Sequence, residues 1–238
     1  MLTGKLLDDG DDPVRTVRPL LRRVGEPVVR RAVAQAMKLL GKQFVLGRDI
    51  DEAVDEARQL GKLDYTHSYD MLGEAARTDA DARRYQTSYA DAIARLAKVG
   101  GASVAERPGI SVKLSALHPR YEHTHREQVM AELLPRAREL AIAAARAGIG
   151  FNVDAEEADR LELSLDLIEA LLGTPELAGW DGFGVVVQAY GRRALPVIDW
   201  LVALATREQR RLMVRLVKGA YWDTEIKEAQ TLGVASFP

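Results

Sequence analysis

Polar or charged side chains stand near the ends of five short apolar segments of this sequence. In chain order these side chains are Asp70, Lys113, Asp154, Gln188 and Arg215, and Lys218 follows closely. A strand buried on both faces is normally an almost continuous apolar run, and an unpaired charge inside it is costly. Because the same position is polar in successive segments, core packing does not explain the pattern. It predicts a single rim at which acids, bases and an amide meet.

The segments that carry these residues alternate with longer stretches of helical periodicity. They are LDYTHSYD, GISVKLSAL, GIGFNVD, GFGVVVQAY and RLMVRLVKGAY. Their spacing, about forty residues and later about thirty, provides a strand, a helix and two loops per unit, which predicts parallel strands. Both a doubly wound sheet and a (β/α)8 barrel fit, but no Gly-x-Gly-x-x-Gly follows the first segment, which disfavours a dinucleotide-binding sheet. In a barrel, the carboxyl ends of the strands converge on one mouth.

The first sixty residues have a different pattern, which predicts helices. Apolar residues recur at three- and four-residue steps in EPVVRRAVAQAMKLLG, and a second helix is predicted at DIDEAVDEARQL. Basic pairs such as Arg30 and Arg31 are interpreted as solvated helix faces rather than as phosphate contacts. The predicted organisation is therefore a helical arm over residues 1–61, followed by a partial barrel over residues 62–238.

The composition excludes several classes of protein. The 238 residues include 33 basic and 35 acidic side chains, a net charge of −2, which disfavours a strongly basic nucleic-acid binder. The absence of cysteine excludes disulfides, thiolate nucleophiles and cysteine-based metal sites. No apolar run approaches the ~20 residues of a membrane-spanning helix, and the first residues lack the features of a signal peptide. We therefore expect a cytoplasmic chain, at most peripheral to a membrane.

The lysines of the predicted rim raise the alternative of a Schiff-base aldolase. Lys113 or Lys218 would attack a carbonyl substrate, which requires a lysine of lowered pKa. Asp154 lies one strand away from Lys113, however, and a nearby carboxylate raises the pKa of a lysine. A non-catalytic binding or scaffold module built on the partial barrel is a further alternative.

Metal binding is a weaker interpretation of the same residues. Asp70, Asp154 and Glu156 offer oxygen ligands, and the segment HPRYEHTH offers imidazoles. The histidines lack a recognised ligand spacing, so they are interpreted as clustered surface residues, and no metal is expected. A redox cofactor agrees better, because an arginine can stabilise negative charge on a reduced ring while an amide reads its heteroatom edge. Flavin is the natural candidate.

At these residues the sequence resembles the proline dehydrogenase domain of the bifunctional proline utilisation flavoenzymes of bacteria. The matching stretches are SYDMLGEAA, GISVKLSALHPRY, NVDAEEADRLELSLDL, ELAGWDGFGVVVQAY and RLMVRLVKGAYWDTEIKEAQ. The family oxidises L-proline to Δ1-pyrroline-5-carboxylate by hydride transfer to N5 of FAD and passes the electrons to a membrane quinone. The resemblance therefore implies FAD, L-proline, a quinone acceptor, peripheral membrane association and a homo-oligomeric parent protein. It implies no nucleic-acid contact from this segment.

The resemblance also implies roles for individual residues. Asp154 and Arg215 match catalytic positions, the arginine lying beside the flavin N5. Lys113, Asp70 and Tyr221 match positions near the substrate. The implied cofactor contacts are Ala155, Gln188, Arg215, Lys218, Gly219, Ala220 and Trp222.

The sequence departs from the family pattern at its end. It stops at SFP, so the resemblance covers only about five of the eight β/α units of a barrel. A Thr-His-Asn stretch that holds FAD and a last helix with paired arginines are expected in a longer parent protein, as is a second enzymatic half. We therefore expect little or no activity from this chain alone. Asp159 and Arg160 are predicted to cap and open the helix RLELSLDLIEALLG.

Overall fold

The computed structural model describes residues 26–61 and 65–234. The chain divides into two compact units, Met1–Arg58 and Gln59–Pro238. The predicted division into an arm of residues 1–61 and a barrel of residues 62–238 stays a prediction. Its first 25 residues lie outside the described ranges.

Two helices come first in the described chain, as the apolar periodicity predicts. Helix α1 spans Glu26–Phe44 and helix α2 spans Ile50–Gly61. The start of α2 is held by side chains, because the backbone N–H of Glu52 donates to Asp49 Oδ1 over 2.9 Å. Acidic residues in its first turn and a basic residue in its last complement the helix dipole.

The second unit alternates strands and helices along the chain. Its strands are β1 Ser68–Asp70, β2 Gly109–Val112, β3 Gly150–Val153, β4 Phe183–Gln188 and β5 Met213–Val217. Its helices are α3 Asp79–Leu96, α4 Arg126–Ala147, α5 Leu161–Leu172, α6 Ala194–Arg207 and α7 Trp222–Thr231. In residues 26–61 and 65–234, no helix combines the length and the apolar character that crossing a lipid bilayer requires.

The five strands form one parallel sheet in the order β1-β2-β3-β4-β5. Each strand pairs with the next in sequence, whereas a doubly wound sheet reverses its strand order at a switch point. The order is therefore that of part of a (β/α) barrel, and it confirms the predicted α/β class. The sheet is also curved, because Arg215 Nη2 on β5 donates to Ser111 Oγ on β2 over 2.8 Å. In a flat sheet these strands would lie ~14 Å apart.

The two faces of this sheet have opposite character. The outward face is apolar, and on β1 to β4 it is buried through Tyr69, Ile110, Val112, Phe151, Val153, Phe183, Val185 and Val187. Val214 and Leu216 continue this face on β5, where they are exposed. The alternate positions face inward, where Ser111 lies between Asp70 and Asn152 in the register and Val186 lies opposite Arg215. Successive side chains of a strand point to opposite faces of the sheet. One alternating pattern of residues therefore produces both the apolar layer under the helices and the polar concave face.

The start of α5 differs from the prediction. A short 3-10 turn, Ala158–Arg160, precedes the helix, and no side chain caps its first turn. The helix therefore begins directly after Arg160, as predicted, but the predicted capping by a side chain is wrong. Arg160 instead lies 3.1 Å from a carboxylate oxygen of Glu157, and its guanidinium carbon is 5.4 Å from the centre of the Tyr121 ring. The Arg160 side chain therefore contacts the preceding loop and the Tyr121 ring rather than the first turn of α5.

Candidate functional site

The structure brings four of the predicted charged residues together at the carboxyl ends of the strands. Lys113 Nζ donates to both carboxylate oxygens of Asp70, at 2.9 and 3.0 Å, and to Asp154 Oδ2 at 3.1 Å. Arg215 Nη2 donates to Asp154 Oδ1 at 2.7 Å and to Ser111 Oγ at 2.8 Å. We call Asp70, Lys113, Asp154 and Arg215 the charged cup. Asp154 stands at its centre and accepts hydrogen bonds from both cations.

Burial differs between the members of the charged cup. The side chains of Asp154 and Lys113 are 11% and 16% exposed, whereas those of Arg215 and Asp70 are 41% and 47% exposed. Burial by itself lowers the pKa of Lys113, but the hydrogen bond to Asp70 and the charge of Asp154 outweigh it and raise the pKa. Burial raises the pKa of Asp154, while Lys113 and, more weakly, Arg215 favour its ionised form. The cup therefore has a buried ion pair at its floor and an accessible guanidinium at its edge.

These electrostatics oppose the aldolase interpretation. A Schiff base forms on a neutral amine, and the raised pKa of Lys113 keeps its ammonium protonated at neutral pH. Lys218 is exposed, and its Nζ lies 5.8 Å from the centre of the Trp222 ring rather than in the cup. Neither lysine has the desolvated, unpaired setting that this chemistry requires.

Gln188, at the end of β4, holds the neighbouring loop. Its Nε2 donates to the backbone carbonyl of Glu156 over 2.8 Å. Glu156 Oε1 in turn accepts from the backbone N–H of Ser115 at 3.0 Å, so the loops after β2, β3 and β4 are connected. Burial raises the pKa of Glu156, although the hydrogen bonds from Ser115 and the charge of Arg160 oppose the shift.

The loop after β5 contains the other residues that the resemblance assigns to the cofactor. Gly219 has φ of +107°, and a Cβ there would lie 2.4 Å from the Tyr190 ring, so only glycine fits without displacement. Ala220 is exposed, and Trp222 begins α7 with 43% of its surface exposed. Burial raises the pKa of the Tyr221 hydroxyl, and nearby carboxylates add to that shift.

A cavity of about 380 Å³ lies beside the charged cup, on the outward side of the sheet. Its apolar wall includes Val185 and Val187 of β4 together with residues of α5 and α6. Ala155 and Gln188 line it at the carboxyl edge, and Asp154 is shared between cavity and cup. The predicted residues therefore border two compartments, a polar one inside the curved sheet and an apolar one under the helices.

The histidines do not form a metal site. His118, which the sequence interpretation places at the surface, is 2% exposed, so that part of the interpretation is wrong. Its Nδ1 accepts from the backbone N–H of Arg120 at 3.1 Å, and its Nε2 lies 3.3 Å from Glu132 Oε2. Across residues 26–61 and 65–234, no group of three or more histidine or carboxylate side chains is placed to hold a metal ion.

The residues present fit an anionic, ring-shaped cofactor such as a flavin. The partly exposed guanidinium of Arg215 uses Nη2 for Asp154 and Ser111, and its remaining N–H groups suit a ring that gains negative charge. Gly219 allows the backbone of its loop to lie close to neighbouring groups, and Gln188 Oε1 faces it, 3.0 Å from where a Cβ would stand. Arg215, Gln188 and Gly219 would hold such a cofactor.

A parallel β/α sheet curved around polar strand ends defines the fold as part of a (β/α) barrel, the class in which enzyme sites lie at the carboxyl ends of the strands. The sequence profile of the family described as Proline dehydrogenase matches residues 53–238. The chain therefore belongs to the proline dehydrogenase family.

Relatives of known sequence match this chain over its whole length. The bifunctional protein PutA of Escherichia coli (strain K12) is 52% identical over 241 residues, which cover 100% of this chain and 18% of PutA. The bifunctional protein PutA of Rhizobium meliloti is 53% identical over 240 residues, covering 100% of this chain and 19% of that protein. The chain thus spans less than a fifth of these relatives.

Solved structures agree with this assignment. A crystal structure of a mutant of Bradyrhizobium japonicum proline utilization A (PutA) has 56% identity and a TM-score of 0.78, with 94% of this chain and 23% of that chain covered. The structure of Bdellovibrio bacteriovorus PutA inactivated by N-propargylglycine has 28% identity and a TM-score of 0.80 over 86% of this chain and 23% of that chain. Both relationships confirm the barrel-type fold.

The beginning of the chain has a match of its own. Residues 1–44 match the family profile described as the DNA-binding domain of Proline dehydrogenase. The apolar periodicity predicts a helical arm there, and of this region the structure describes residues 26–44. The match weighs against the absence of nucleic-acid contact that the resemblance implies.

Three residues that shape the site were not assigned to it from the sequence. Ser111 joins Arg215 to β2, Tyr190 packs against Gly219, and Glu225 accepts a hydrogen bond from the loop after β3. A signal existed for Ser111, because it stands two residues before Lys113 and therefore on the same face of β2. Tyr190 and Glu225 lie on a loop and a helix, where no such periodicity points to them.

Proposed function

We propose that the domain to which this chain belongs oxidises L-proline to Δ1-pyrroline-5-carboxylate with FAD as the cofactor. The observation that carries the proposal is the carboxylate of Asp154, held between Lys113 and Arg215 at the carboxyl rim. Membership of the proline dehydrogenase family supports the choice of substrate. Without the family membership, the same residues at the rim would support only the binding of an anionic ligand.

The side chains of the cup have distinct tasks in this proposal. Arg215 provides a fixed positive charge where negative charge develops, without the reorganisation that solvent would need. Bound flavin supplies an acceptor for the hydride that leaves the proline ring. Lys113 and Asp154 keep each other ionised and form a polar floor, and Asp70 orients Lys113 from the opposite side. Tyr221 lines the substrate side, and the backbone of Ala155 contacts the cofactor.

The loop after β5 holds the cofactor in this proposal. Lys218, Gly219 and Ala220 would contact it along the backbone, Trp222 would lie against its ring, and Gln188 would bind it through the remaining amide oxygen. The electrons pass to a membrane quinone. The parent protein is then a cytoplasmic homo-oligomer that associates peripherally with the inner membrane, and this chain alone has little or no activity.

A chimera tests the function directly. This chain replaces the aligned segment of the Escherichia coli PutA, which is 52% identical to it. Proline-dependent reduction of an artificial electron acceptor is measured for the chimera and for its Asp154→Ala variant. We expect the chimera to turn over proline and the variant to lose at least tenfold in kcat/KM. A chimera that folds, binds FAD and shows no proline oxidation would refute the proposal.

The isolated chain gives a second, independent measurement. Purified chain is mixed with FAD and dialysed, and retained flavin is read from its absorbance. Borohydride is then added with a carbonyl compound as a test of the aldolase alternative. We expect no mass increment on Lys113 or Lys218, and a trapped adduct would favour that alternative. Retention of flavin by this chain would in turn contradict a role as a purely structural module.

A further inference from the structure

Both backbone polar groups of Ala158 are held by side chains from other elements. Its N–H donates to Glu225 Oε1 of α7 over 2.7 Å. Its carbonyl accepts from Arg193 Nη2, at the start of α6, over 2.6 Å. Ala158 lies four residues after Asp154, in the loop that leaves β3. Two distant parts of the chain therefore hold this loop at a single residue.

The loops that follow β4 and β5 meet at the same place. The backbone N–H of Ala189 donates to the carbonyl of Val217 at 2.8 Å, and that of Tyr190 donates to the carbonyl of Lys218 at 3.3 Å. The Tyr190 ring occupies the space that a side chain at residue 219 would take. The proposed cofactor loop, residues 218–220, is thus tied to the loop after β4.

The charges of Glu225 and Arg193 both lie near the Tyr190 hydroxyl. Glu225 and Arg193 act in opposite directions on the pKa of Tyr190, which burial raises to about 12. The Tyr190 hydroxyl, between the acidic Glu225 and the basic Arg193, therefore stays protonated and uncharged at physiological pH. A hydrogen bond to a charged acceptor is shorter and stronger than one between neutral groups, which agrees with the 2.7 Å bond from the N–H of Ala158 to Glu225.

We propose that Glu225 is a positioning residue that joins the loop after β3 to the helix after β5, and that Arg193 secures the same loop from the other side. Only the expected effect of this junction on cofactor binding rests on the proposed function. Because α7 follows residues 218–220 directly, Glu225 sets Asp154 and Ala155 in register with the proposed cofactor loop. Neither Glu225 nor Arg193 needs to touch the cofactor or the substrate for this role.

Amide hydrogen exchange of the whole chain tests the junction without any cofactor. In Glu225→Ala the Ala158 amide loses its acceptor, and we expect exchange in residues 155–160 to accelerate about tenfold or more. Glu225→Gln retains an acceptor oxygen and is expected to restore slow exchange. Glu228→Ala, an exposed carboxylate on the same helix, is the matched control and should leave this segment unchanged. Arg193→Met removes the side-chain donor to this carbonyl, which keeps its bond from the backbone N–H of Leu161, and gives a second route to faster exchange.

Flavin affinity of the same variants tests the consequence. If the unchanged chain binds FAD, Glu225→Ala should raise the dissociation constant at least fivefold and Glu225→Gln should recover it, whereas equal affinities would overturn the positioning role. Unaltered exchange of residues 155–160 in both Glu225→Ala and Arg193→Met would overturn the junction itself. If no variant retains flavin while exchange accelerates as expected, the proposed cofactor binding fails for this chain and the junction stands.

Discussion

Arg215 on β5 and Asp154 after β3 are joined by a 2.7 Å hydrogen bond that passes over the intervening strand β4. The residue of β4 opposite Arg215 in the register is Val186, which offers no competing acceptor side chain. The guanidinium therefore extends along the concave face to Asp154, one of the two carboxylates that Lys113 contacts. This geometry makes the charge state of the cup depend on Asp154 more than on any other member.

Removal of Asp154 should destabilise the chain more than removal of Asp70. Asp154→Ala leaves Lys113 buried without its central partner, and breaking a buried ion pair costs about 3 kcal/mol. Asp70→Ala removes a half-exposed partner, for which a loss of about 0–1 kcal/mol is expected. Urea unfolding of both variants measures the difference. Equal losses would contradict the central position of Asp154.

Arg215 should control the reactivity of the flavin in the chimera. Arg215→Met removes the fixed positive charge, so we expect a lower flavin reduction potential and a rate of flavin reduction by proline about a hundredfold slower. Arg215→Lys retains the charge but not the planar guanidinium that reaches Asp154 and Ser111, so its potential and rate should lie between those of wild type and Arg215→Met. Potentiometry and rapid-mixing absorbance at the flavin band measure both effects. Wild-type potential and rate in Arg215→Met would exclude the assigned role.

Gly219 should tolerate substitution less than a nearby glycine of ordinary conformation. Alanine at position 219 meets both a positive φ and the Tyr190 ring, with an expected cost of about 1–3 kcal/mol. Gly191→Ala is the control, because a Cβ there would find only an ordinary contact at 3.7 Å. Thermal unfolding monitored by circular dichroism compares the two variants. A similar transition temperature for both would show that the loop relaxes freely.

Much of this architecture was predictable from the sequence, because alternating strands and helices leave a local signal. The polar residue at each strand end identified the rim. The alternation of short apolar segments with stretches of helical periodicity identified the β/α units. The curvature of the sheet left no such signal, so the bond from Arg215 to Ser111 could not be predicted from neighbours in sequence. Burial of His118 was missed for a related reason, since its partner Glu132 belongs to a helix that only tertiary packing brings near.

Glu156 should make the stability of the chain depend on pH in the acidic range. Burial raises its pKa in the folded state, so the native protein binds this proton more tightly than the unfolded chain does. Its contribution to the free energy of unfolding is therefore greatest at low pH. This contribution falls as the pH rises from about 4.3, the ordinary value of a glutamate, through the folded pKa.

Glu156→Gln removes this titration while it keeps an acceptor for the backbone N–H of Ser115. At neutral pH we expect the variant to be more stable than the unchanged chain by on the order of 1 kcal/mol, because no buried charge has to be maintained. Below about pH 3 the advantage should vanish, since the glutamate is then protonated in both states. Urea unfolding at a series of pH values gives the two curves, and Glu157→Gln, at a more exposed neighbouring carboxylate, serves as the control. Parallel curves for Glu156→Gln and the unchanged chain would show that Glu156 does not titrate with a raised pKa.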